Sequence, residues 1–147
     1  MESHDFFRLT RRLGLIQLLL LLILQTAFAR SATWSLNPTS NDWNTAENWT
    51  PPTIPNPEAD TATFGPSNTI NLTIGEWSDG SENTVTRVGK VVFAEGAGAY
   101  TITVTPVFDV VLSSILTFNG VGITNNSGVV RNFVTANSGT YKAFMDL

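Results

Sequence analysis

The chain has 147 residues with 42% hydrophobic side chains, four tryptophans, one histidine and no cysteine, and its twelve acidic residues outnumber eight basic ones. Sparse, net negative charge argues against nucleic acid as a partner, because neutralising phosphates needs clustered Lys and Arg, and equally against a polybasic membrane patch. Without cysteine there is no disulfide, thiol nucleophile or thiolate metal ligand, so an ordered domain must be held by its core or by stacked repeats.

Arg8, Arg11 and Arg12 precede an apolar run over residues 13–24 that only Gly14 and Gln17 interrupt, and Ala27-Phe28-Ala29 follows. A positive start, an apolar middle and an A-x-A end are the parts of a secretory signal peptide. Residues 1–29 are therefore expected to be an apolar signal helix removed by cleavage between Ala29 and Arg30. The chain is then exported to the extracellular space or cell surface, with no membrane association after cleavage. The alternative is an uncleaved anchor, although a spanning helix needs about 20 apolar residues to cross roughly 30 Å of hydrocarbon. His4 lies in this segment, so the remaining 118 residues contain no histidine, and carry five basic against ten acidic side chains. A Ser-His-Asp triad, a His-ligated zinc and a His general base are thereby excluded from the mature part.

Residues 30–68 are rich in Trp, Asn and Pro, with four prolines in the eight residues 50–57. Proline fixes φ and lacks a ladder N–H, so this segment is expected to cap or wrap the core. Residues 69–140 show the two-residue period of strands. Ile70, Leu72 and Ile74 share one face opposite Asn71 and Thr73, while Tyr100, Ile102 and Val104 alternate with Thr101 and Thr103. Further short apolar runs at 107–112, 115–118 and 129–134 are separated by Gly- and Asn-rich turns. Residues 75–83 read as a polar insertion and 141–147 as an irregular tail. Such spacing predicts an all-β sandwich, barrel or solenoid.

In a solenoid, stacked Asn side chains can form hydrogen-bonded ladders at the corners, where glycine supplies the turn. Gly120-Val121-Gly122-Ile123-Thr124-Asn125-Asn126-Ser127-Gly128 resembles the coils of the autotransporter-associated β-strand repeat family of exported bacterial proteins. Trp34, Trp43-Asn44, Asn48-Trp49, Pro55-Asn56 and 60–64 are similar to the entry segment of that family, so the resemblance spans about residues 33–138. It implies a short right-handed, parallel β-helix-like solenoid and a structural or adhesive role without catalysis or cofactor. This chain would then be the N-terminal fragment of a longer passenger, its partners being surface polysaccharide or other repeat proteins. A β-sandwich is the alternative fold.

Trp43, Trp49 and Trp77 are the candidate ligand-binding residues. Exposed indole faces stack on sugar rings, with Asp42, Asn44 and Asn48 to bond hydroxyls, as in a carbohydrate-binding module. The competing reading makes Trp43 and Trp49 a buried cover over the end of the solenoid, and leaves Trp77 exposed among Glu76, Ser78, Asp79 and Gly80. Glu76, Asp79 and Glu82 could offer oxygens to Ca²⁺, but their spacing fits neither the EF-hand loop nor the nonapeptide of calcium-binding β-rolls, so a solvated loop, and no metal site, is expected. A polysaccharide-degrading β-helix enzyme would need a carboxylate pair at about 5–10 Å, drawn from Asp42, Glu47, Glu58, Asp60 and Asp109. No pair stands out, and no catalytic residue is assigned.

Overall fold

The computed structural model describes residues 30–75, 83–106, 113–137 and 139–147. The signal helix, Trp77, Asp109 and the 107–112 run lie outside them, as does nearly all of the 75–83 insertion. The described strands are β1 (Ala32–Trp34), β2 (Trp49–Thr50), β3 (Thr61–Phe64), β4 (Asn71–Ile74), β5 (Asn83–Phe93), β6 (Thr101–Val104), β7 (Ser113–Asn125), β8 (Asn132–Thr135) and β9 (Lys142–Asp146), with a single 3-10 turn at Ala46–Asn48. They wind into a β-solenoid of about three turns. Except for the antiparallel pairing of β2 with β1, every described ladder is parallel. Parallel pairing sets the sandwich alternative aside, since sandwiches are built from antiparallel sheets.

Three faces recur in each turn. The first stacks β1, β3, the end of β5 and the end of β7, so that Ala32 lies beside Ala62, Ala62 beside Val91 and Val91 beside Ile123. The second stacks β4, β6 and β8, and the third stacks the starts of β5 and β7 with β9. Partners one turn apart are about 30 residues apart in sequence, as positions 32, 62, 91 and 123 show. Between the third face and the first the chain turns inside a continuous strand, where the β5–β7 register shifts between Val88 and Lys90. Buried positions accordingly run Thr86 and Val88 before that corner but Val91 and Phe93 after it.

Alternation places Leu72, Ile74, Tyr100, Ile102 and Val104 in the core, with Ile70 packed against it. Asn71, Thr73, Thr101 and Thr103 form the outward rows, Asn71 beside Thr101 and Thr73 beside Thr103. Ile102 is fully buried, so Ile102→Ala should lose about 2–5 kcal/mol of stability in chemical denaturation. Thr103→Ala should lose well under half of that, and equal losses would contradict the assignment of faces.

A column of aromatic rings fills the interior. Trp34, Phe64 and Phe93 occupy equivalent places in successive turns, with centroids 6.2 Å and 5.2 Å apart. The next equivalent place holds Asn125, and the column is closed by Arg131, whose guanidinium carbon lies 4.8 Å from the Phe93 centroid and 5.9 Å from that of Tyr100. Such cation–π contacts strengthen where water is excluded. The same guanidinium donates to the Ala97 carbonyl at 2.9 Å.

Two expectations need correction. Residues 141–147 are not irregular: β9 pairs in parallel with β7, and Ala143 is buried with Met145 packed against the core. The inward alternation of those two side chains is what recruits the segment. Nor does the glycine- and asparagine-rich stretch form an Asn ladder at a corner. Its first half extends β7 through Asn125, whose side chain bonds Val129 and Ser127 within its own turn.

Candidate functional site

The N-terminal end is the most elaborated part of the molecule. Trp49 lies 5.1 Å from Trp34 and 4.9 Å from Trp43, both edge-on, and Phe64 is 5.6 Å from Trp43 and from Trp49. Edge-to-face packing suits the ring quadrupoles, positive edge on negative face. Trp49 Nε1 donates to the Trp43 carbonyl at 2.7 Å, and Trp34 Nε1 to that of Thr69 at 3.0 Å.

Trp43 is 0% and Trp49 1% exposed, so neither offers an indole face to a ligand. They occupy the covering position over the first turn. The polar residues beside them are committed to the loop. Asp42 Oδ1 accepts from the Asn44 amide at 3.0 Å and Oδ2 from the Thr45 hydroxyl at 2.8 Å. Asn48, fully buried, accepts from the Thr39 hydroxyl and the Ser40 amide, and donates to Ser40 Oγ and the Asp42 carbonyl. A buried amide needs such partners, because leaving one group unpaired costs about 1–3 kcal/mol. Residues 39–49 thus form a plug bonded largely within itself, although Trp43 Nε1 and Asn44 Nδ2 are buried without a partner among the described residues.

All three faces are covered at this end. β2 pairs along the outer edge of β1. On the second face, Thr73 exchanges backbone hydrogen bonds with Asn41 and Trp43, each at 2.9 Å. On the third, the proline-rich segment supplies Asn56 Oδ1 to the Arg87 amide at 2.8 Å and the Asp60 carbonyl to the Gly89 amide at 2.9 Å. An open groove of about 880 Å³ runs along this segment, lined by Arg30, Thr53, Ile54, Asn56, Glu58 and Arg87 among others. Glu58 lies 3.9 Å from Arg87 across it, both side chains about half exposed or more. Such a pair contributes little to stability.

Of the described carboxylates only Asp60 is buried, at 0% exposure. It continues the inward row of Ala62 and Phe64, an alternation readable in the sequence. Its Oδ1 accepts from the backbone nitrogen of Arg30, and its Oδ2 has no partner among the described residues. Burial pushes its pKa above the usual carboxylate value, against the opposing pull of the Arg30 amide, the Arg30 charge and the Asn56 amide. Among the described residues no three acidic or metal-ligating side chains gather at one point, and no helix is long and apolar enough to cross a membrane. Ala27, Ala29 and Trp77 lie outside the described residues.

Comparison with family models, with curated proteins and with solved structures finds no match.

Proposed function

We propose that this is an exported structural or adhesive protein of the cell surface, without catalytic activity, made of the opening coils of a β-repeat rod of the autotransporter-associated kind. The observation that carries this reading is the difference between the two ends of the solenoid. The first turn is covered on every face. At the other end, among the described residues, nothing pairs with the outer edges of β8, β9 or the last part of β7. Val134 and Phe144 there are 42% and 49% exposed, and Val130 78%.

Open strand edges and apolar side chains invite another strand unless something blunts them. Another β-repeat segment is the natural occupant. The winding is right-handed, the sense that parallel crossovers adopt in almost every case. Thr33 beside Thr63 and Asn71, Thr101 and Asn132 in one line make repetitive polar rows suited to surface polysaccharide or to neighbouring repeat proteins. Trp34, Trp43 and Trp49 are absorbed in the cover, which leaves the carbohydrate-binding alternative without an indole face among the described residues.

The test is expression of the full chain in a secreting bacterial host, followed by N-terminal sequencing and protease treatment of intact cells. Material beginning at Arg30, outside the cell or shaved from its surface, is the expected result. Intact Met1 in the membrane fraction would sink the cleaved-export reading and favour the anchor.

A further inference from the structure

We propose that Asp60 is a binding site for the α-ammonium group created on Arg30 when residues 1–29 are removed, so that processing itself locks the first turn of the solenoid. This rests on the export reading for its trigger, but its physical basis is separate. The pairing of Ala32 with Ala62 aligns Arg30 with Asp60, and the Thr61 amide, 3.0 Å from Ser31 Oγ, holds the two segments together. The Arg30 nitrogen accordingly donates to Asp60 Oδ1, while the fully buried Oδ2 has no partner among the described residues.

In the precursor that nitrogen is an amide with one hydrogen and no charge; it and the Asn56 amide oppose the cost of burying the carboxylate, but among the described residues Oδ2 has no partner. Hydrolysis of the Ala29–Arg30 bond consumes one water and leaves a carboxylate on Ala29 and an amine on Arg30, which takes up the released proton. The ammonium has three donors and a unit charge opposite to that of its acceptor. It can serve both oxygens from a position the backbone register already enforces. Removing a partner from a buried charge is strongly destabilising, so the precursor and the processed chain differ in how well this one carboxylate is matched.

The pH dependence should change sign with processing. With an amide at Arg30, burial raises the folded-state pKa of Asp60. The folded form then holds a proton more tightly, and stability falls as pH rises through that raised value. With an ammonium there, the carboxylate is held charged. Its contribution is present above the unfolded carboxylate pKa and is lost as pH falls through the lower folded value. The amine contributes below its unfolded pKa of about 7.7–8.0, and that contribution is lost as pH rises through its raised folded value. The other charged groups around Asp60 are the Arg30 guanidinium, Glu58, Arg87 and Lys90. Glu58 is exposed beside Arg87.

The experiment compares a chain cut to begin at Arg30, which retains every described strand, with one carrying an inserted serine before Arg30. Each is made with Asp60 and with Asp60→Asn, and denaturation is followed from pH 3 to 9, a span that brackets both groups. The insertion should lower the folding equilibrium constant about ten- to a hundredfold with Asp60 at neutral pH. It should change it less than about twofold in the Asp60→Asn background, because no charge remains to match. Equal losses in both backgrounds, or none with Asp60, would overturn the pairing whatever residue export leaves first. Should Asp60→Asn fail to fold, the Arg30 α-amine can be titrated by NMR in the otherwise unaltered chain. A pKa above the ordinary range supports the pairing and an ordinary one overturns it. If the pairing holds but secreted protein starts elsewhere, processing is not its trigger.

Discussion

Gly89→Ala is expected to be among the most damaging single substitutions in the chain, at about 3 kcal/mol or more. A Cβ built at Gly89 would lie 2.4 Å from the Glu58 carbonyl oxygen, and one at Gly120 would lie 2.3 Å from that of Gly89. These three backbones are stacked at the corner between the third face and the first, one from each successive turn. The obstructing atoms are main-chain carbonyls, not the ends of flexible side chains, so the added methyl can be accommodated only by parting the turns. That places the change at the upper end of overpacking costs, about 1–3 kcal/mol and sometimes more. Gly120→Ala should behave alike. Gly65→Ala is the control, because nothing lies within 4 Å of its added methyl. Chemical denaturation of the three variants measures the difference, and a loss at Gly65 matching that at Gly89 would mean that the turns do not approach as closely as described.

Trp43→Ala and Trp49→Ala should each cost about 3–5 kcal/mol, the range for truncating a large buried aromatic. Both rings are fully enclosed and contact each other and Phe64, and each aromatic pair adds about 0.5–1.5 kcal/mol beyond area burial. Trp49→Ala also removes the donor to the Trp43 carbonyl. The measurement that separates structure from recognition is denaturation of each variant beside pull-down on insoluble polysaccharides. Loss of stability is the expected outcome. Native stability with lost polysaccharide binding would move the protein into the carbohydrate-binding class.

Much of this fold is legible where one side of a strand is buried and the phase of alternation stays constant. Residues 70–74 and 100–104 are of that kind, and they fall on the same face one turn apart. β5 is harder to read because its alternation changes phase at Gly89 and its middle carries Arg87 and Lys90. No single two-residue period fits it. β9 is obscured by brevity, since two inward side chains, Ala143 and Met145, are too few to stand out from a tail. Among the candidate residues, the covering role of Trp43 and Trp49 is one of two readings the sequence allows. Choosing between them needs the burial that only the assembled first turn provides. Asp60 is readable as an inward position from its spacing to Ala62 and Phe64. Its proximity to Arg30 depends on the register of two strands about 30 residues apart, which local pattern does not encode.

The cover on the first turn also gives the molecule a temporal direction. Every later coil buries its apolar row by lying on the coil before it, whereas the first turn has β2, the 39–49 plug and the proline-rich strap for company. A chain delivered N-terminus first, as it leaves a ribosome or a secretion channel, presents its coils in the order in which each becomes useful to the next. The tryptophan-rich end can consolidate while the remainder is still extended, and each arriving segment then finds a finished template to settle on. Topology and delivery thus run in the same sense, each arriving segment meeting a coil already laid down.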